Sequence, residues 1–114
     1  MRRILVLEDD PNMGIIYEKT LTRLGYLPKI VNSLPDALEA ISDHFDLYII
    51  NLMIKGSKDG GLELLKHGVN PVLIVSAINL DPGLLENYHF MRKPVRMSEL
   101  SEKIKLIIHG TNKT

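Results

Sequence analysis

The chain has 114 residues, 45% hydrophobic and 25% charged, with 14 Lys plus Arg balanced by 14 Asp plus Glu. That length holds one domain with a real core and no second domain, and the composition excludes disorder, collagen and coiled coil. The zero net charge argues against a general nucleic-acid or anionic-membrane binder. The lack of cysteine excludes disulfides, thiolate zinc sites and cysteine nucleophiles, and no apolar run forms a secretory leader or approaches the ~20 residues that span a bilayer.

Ile4–Leu7 is a short continuous apolar run, the pattern of a strand buried on both faces. Asp10-Pro11 predicts a helix N-cap followed by proline in the first helical position. Met13, Ile16, Tyr17, Thr20, Leu21 and Leu24 follow at helical spacing, and Gly25 is a natural stop. Leu27–Val31 reads as a weaker strand. Ser33 is placed to cap a second helix, with Asp36 three residues on and Leu34, Ala37, Leu38 and Ile41 inward. Asp46–Asn51 is another buried strand. A glycine-rich loop, Lys55–Gly61, leads into a short helix marked by Leu62, Leu65 and Val69 and stopped at Gly68. Val72–Val75 is a further buried strand, Asp81-Pro82 starts a very short helix carrying Leu84 and Leu85, and Tyr88–Met91 is the last strand. Ser98 caps a final helix with Leu100, Ile104, Ile107 and Ile108 inward, ending at Gly110. Residues 1–110 are read as one domain and 111–114 as a polar tail.

Strands that alternate with helices imply a parallel sheet covered on both faces. Five such units predict a flavodoxin-like (βα)5 three-layer α/β sandwich with strand order 2-1-3-4-5 and ligands beyond the carboxyl ends of the strands. Glu8, Asp9 and Asp10 follow the first strand, Asn51 ends the third, Ser76 follows the fourth, and Lys93-Pro94 follows the fifth. Clustered carboxylates call for a cation, and hard oxygen ligands suit Mg²⁺. A lysine and a hydroxyl across from them suit a phosphoryl group. Plainer readings stand beside these: capping and solvating charge for Glu8–Asp10, local backbone hydrogen bonds for Asn51 and Ser76, a solvated side chain for Lys93. His44, His67, His89 and His109 show no metal-ligand spacing. Lys55–Gly61 lacks the Gly-Lys-Ser/Thr ending of a nucleotide-binding P-loop.

Five stretches, in order, resemble the receiver domain of two-component response regulators: Arg3–Pro11, Phe45–Met53, Asp59–Lys66, Pro71–Ala77 and Phe90–Val95. The resemblance implies that Glu8 and Asp9 match the family's Mg²⁺ carboxylates and that Met53 offers its backbone carbonyl to the metal. Ser76 and Lys93 match the residues that contact the phosphoryl group, with a cis bond at Lys93-Pro94, and Phe90 matches the aromatic residue that changes rotamer on activation.

The departures carry the functional expectation. Position 51 matches the aspartate that a histidine kinase phosphorylates, and here it is Asn51. A carboxylate oxygen is a nucleophile; a neutral carboxamide is not. Asn51 also removes one negative charge, so Mg²⁺ binding should be weak or absent. Lys55 stands where the family usually has proline. Ser76 to Lys93 spans only 17 residues, so the fourth helix should be stunted, on the face the family uses for signalling. The expected protein is therefore a pseudo-receiver: not an enzyme, cytoplasmic, without a DNA-binding output domain, and monomeric or weakly dimeric. It would act as an interaction module toward a histidine kinase or a downstream regulator. The rival expectations are a working phosphorelay receiver that uses Asp10 or Asp59, and a flavodoxin-like protein binding a metal or small molecule at the same strand ends.

Overall fold

The computed structural model describes residues 1–55, 59–78 and 82–110. Five strands alternate with five helices: β1 (Arg3–Leu7), α1 (Pro11–Arg23), β2 (Leu27–Val31), α2 (Leu34–Ala40), β3 (Leu47–Asn51), α3 (Asp59–Leu65), β4 (Val72–Ser76), α4 (Pro82–Asn87), β5 (His89–Arg92) and α5 (Met97–Ile108). Every strand pairs with its neighbour in parallel, in the order β2-β1-β3-β4-β5. The flavodoxin-like α/β architecture expected from the sequence is the one observed.

Side chains alternate across each strand, and the core divides accordingly into two layers. Ile4, Val6, Leu47, Ile49, Leu73 and Val75 face Tyr17 and Leu21 of α1 and Leu100 and Ile104 of α5. Leu5, Leu7, Tyr48, Ile50, Val72 and Ile74 face Ala37 and Ala40 of α2 and Leu64 and Leu65 of α3. Strands β3 and β4 are buried throughout and β1 from Ile4 on, which is why they read as unbroken apolar runs, whereas the edge strands β2 and β5 are partly open.

Local signals hold where a side chain makes its own contact. Asp10 caps α1 by accepting from the Asn12 N–H at 3.0 Å, and Ser33 caps α2 by accepting from the Asp36 N–H at 3.3 Å. Tertiary contact shifts the rest. Gly14, not Ile16, takes the buried position on α1, because a Cβ at Gly14 would already lie 3.3 Å from the Ile30 side chain; Ile16 is exposed. Ala40 joins Ala37 as a buried residue of α2. β5 starts one residue later than its apolar run, set by pairing of His89 with Leu73 on β4. α5 starts at Met97 after Arg96, so Ser98 lies inside the first turn and is no cap. The stunted fourth helix is present as the six residues of α4. The helix start expected at Asp81 and the tail at 111–114 lie outside the described residues.

Gly60 and Gly61 act as a packing device. α3 begins at Asp59, two residues before the expected loop ends. A Cβ on Gly61 would sit 2.6 Å from the Leu52 Cα and 2.8 Å from the Asn51 carbonyl oxygen, and one on Gly60 would sit 2.8 Å from the Ile54 Cβ. These glycines let α3 press directly on the end of β3.

Candidate functional site

Strand register assembles the site. Leu7 pairs with Ile50, so Glu8, the first residue past β1, lies beside Asn51, the last of β3. Asn51 pairs with Val75, and Ser76 with Arg92, which carries Ser76 and Lys93 to the same edge of the sheet. The Lys93 N–H donates to the Ser76 carbonyl at 2.9 Å, and the Lys93-Pro94 peptide is cis, as is Asn70-Pro71.

Glu8 is the centre. It is 2% exposed, and a carboxylate so buried requires compensation. Its Oε2 accepts from the Asn51 side-chain NH₂ at 3.1 Å and from the Asp10 backbone N–H at 3.1 Å. Its Oε1 has no hydrogen-bond partner among the described residues and faces the Lys93 ammonium at 3.6 Å, an ion pair longer than a hydrogen bond. Lys93 keeps 28% of its side chain exposed. The Asn51 NH₂ also donates to the Met53 carbonyl at 3.2 Å. Asp9 is half-buried, and its Oδ2 accepts from the Lys55 backbone N–H at 2.6 Å.

Lys55 adopts φ +53, the left-handed region that costs a branched or bulky side chain energy. Proline could neither take that angle nor donate the N–H that Asp9 accepts. Neither this tether nor the Asp10 N–H is visible in the sequence, because both are backbone groups.

The other residues at this edge are less engaged. Ser76 is fully buried, but its hydroxyl accepts from the Ile78 N–H at 3.2 Å within its own loop. Phe90 is half-buried and packs, with Tyr88, against the core layer beneath α2 and α3. A cleft of about 510 Å³ beside Lys93 is lined by Tyr17, Val75, Ala77 and Val95 among others. Burial, and then the negative charge of Glu8, raise the Tyr17 phenol pKa well above its ordinary value, so it stays neutral. A larger groove of about 640 Å³ runs along β2 between α1 and α2 and is lined by Glu8 and Asp10 among others.

Glu8, Asp9 and the Met53 carbonyl are oxygen donors of the hard type that Mg²⁺ accepts. Glu8 Oε2, Asp9 Oδ2 and the Met53 carbonyl each already accept from a protein donor, and no group of three or more His, Cys, Asp or Glu among the described residues is arranged to hold a metal. These three oxygens as placed do not fit a hydrated Mg²⁺ without competing with their protein donors.

No protein-family model matches the chain. It is 32% identical over 111 residues to the transcriptional regulatory protein YrkP of Bacillus subtilis, across 90% of this chain and 47% of that protein. It superposes with a TM-score of 0.79 on the response regulator protein TrrA of Thermotoga maritima, at 25% identity, covering 94% of this chain and 99% of the other. A CheY-like response regulator receiver domain protein from Methanospirillum hungatei superposes with a TM-score of 0.84, at 24% identity, covering 96% and 95%. The chain has the fold of CheY-like response regulator receiver domains. It spans about half the length of the curated relatives it matches.

Within this fold, the acidic pair after β1, the residue ending β3 and the lysine after β5 converge as the strand ends predict. No helix among the described residues is long and apolar enough to cross a membrane.

Proposed function

We propose that this receiver domain signals without phosphorylation at residue 51 and serves as a protein-interaction module of a two-component pathway. One observation carries the reading: the residue beside Glu8, at the end of β3, is Asn51, and its carboxamide donates hydrogen bonds where a nucleophilic carboxylate would have to attack. The rival nucleophile Asp10 is exposed and spends its Oδ1 on capping α1, which argues against it. Its partners are then a cytoplasmic histidine kinase or a downstream regulator that reads the surface of the domain, and the domain is not itself an enzyme. TrrA of Thermotoga maritima is described in complex with Mg²⁺ and beryllium fluoride, and the receiver domain of the sensor histidine kinase PA1611 from Pseudomonas aeruginosa with magnesium in its active-site cleft. Here the neutral amide leaves the pocket with less negative charge, so Mg²⁺ affinity should be low.

Intact-mass spectrometry after incubation with acetyl phosphate and MgCl₂ tests the proposal. The wild-type chain should remain unmodified. A phosphoryl adduct, mapped by peptide fragmentation to any residue, would refute it.

A further inference from the structure

Loss of a nucleophile needs only an uncharged side chain at residue 51. The side chain present does more. Its NH₂ group makes two donations, one to Glu8 Oε2 at 3.1 Å and one to the Met53 carbonyl at 3.2 Å. Chemistry fixes the orientation of the amide, because exchanging its nitrogen and oxygen would set Oδ1 against a carboxylate oxygen and a carbonyl oxygen, neither of which can donate. Asp9 Oδ2 is met in the same way by the Lys55 N–H at 2.6 Å, and Glu8 Oε1, which accepts no hydrogen bond, faces the Lys93 ammonium as an ion pair at 3.6 Å. Donors from this chain thus reach all three groups that a bridging cation would otherwise draw together.

We infer that the Asn51 carboxamide is a built-in substitute for the cation, bridging Glu8 to the Met53 carbonyl so that the strand ends are held in one arrangement without metal. The left-handed backbone at Lys55 belongs to the same device, since it aims the N–H that neutralises Asp9. The inference rests on reading this pocket as non-phosphorylatable and goes further. A pocket that had only lost its nucleophile would still take Mg²⁺ on Glu8, Asp9 and Met53 and change with it; this one is closed by its own donors. The arrangement of residues 52–55 and of Lys93 is then set at folding, and a partner meets one fixed surface there whatever the magnesium level. Asn51 is a positioning residue, holding Glu8 and Met53 in place.

The test uses the full chain, ¹⁵N-labelled, and MgCl₂ as the probe. In the wild type the Asn51 side-chain NH₂ signals should exchange slowly with water and stay in place through a magnesium titration, and the thermal midpoint should not move. Asn51→Asp should lower the midpoint without metal, because three carboxylates then crowd one buried site, and MgCl₂ should restore it by several degrees. The inference is overturned if magnesium raises the wild-type midpoint as much as that of the variant, or if it shifts and deprotects the Asn51 NH₂ signals. Should Asn51→Asp fail to fold, the wild-type titration decides alone. Magnesium binding by an unmodified wild-type chain would sink this inference and leave the proposed function standing; a phosphoryl adduct on a magnesium-insensitive chain would do the reverse.

Discussion

On the β1–β3 side of the site, Glu8, Asp9 and the Met53 carbonyl are held by hydrogen bonds of 2.6–3.2 Å from Asn51, Asp10 and Lys55. On the β4–β5 side, the Ser76 hydroxyl bonds within its own loop, Phe90 packs into the core, and, among the described residues, only the Lys93 side chain reaches across, at 3.6 Å. The same edge of one sheet is therefore stitched at one end and nearly unstitched at the other. The difference follows the charge. Glu8 and Asp9 lie on β1's side, and buried or half-buried carboxylates collect donors from whatever lies nearest. Among the described residues the β4–β5 side has no buried acid to neutralise, and the short α4 gives it a small element to pack on.

The largest expected effect lies on the stitched side. Gly61→Ala would drive a methyl group to 2.6 Å from the Leu52 Cα, and backbone cannot step aside as a side-chain tip can. It should cost about 3 kcal/mol, read as a lower urea midpoint. A variant of wild-type stability would mean that α3 does not hold the end of β3, and the contrast between the two sides would fail. Lys93→Met removes the one bridge between them. Breaking a buried ion pair strands a charge, but Lys93 is 28% exposed and the contact is long, so about 1–2 kcal/mol is expected. A loss as large as that of Gly61→Ala would show that the β4–β5 side is bound more tightly than its contacts indicate.

The smallest effect concerns the loose side alone. Burial, and then the positive charge of Lys103, lower the His89 pKa on edge strand β5. Between that lowered value and the ordinary one near ~6.5, the unfolded chain binds a proton that the folded chain refuses. Stability should therefore fall as pH drops through that window and level off below it. Thermal melts from pH 8 to pH 5 should show His89→Gln losing less stability than the wild type; equal losses would remove His89 from the account.

Much of the fold was legible because its signals are local. The runs Ile4–Leu7 and Val72–Val75 need only their own apolar residues to announce buried strands, and Asp10 and Ser33 cap their helices with their own side chains. Ile16 and Ser98 misled because helical spacing and capping chemistry do not encode how closely a helix approaches its sheet or where a preceding loop delivers the chain. The site divides in the same way. Side chains at strand ends could be nominated from the sequence: Glu8, Asp9, Asn51, Ser76 and Lys93. Which atoms they spend on one another could not.

By itself the sequence determined the alternation of strand and helix, the residues that end each strand, and the absence of a carboxylate at position 51. Those are properties of residue type and order. Only the tertiary structure decided that the Asn51 amide spans Glu8 and Met53, that a left-handed Lys55 turns its N–H on Asp9, and that the Ser76 hydroxyl looks to its own loop. Those contacts depend on strand register and backbone angle, which place atoms from distant positions within 3 Å or so of each other, and no residue carries that distance in its own chemistry.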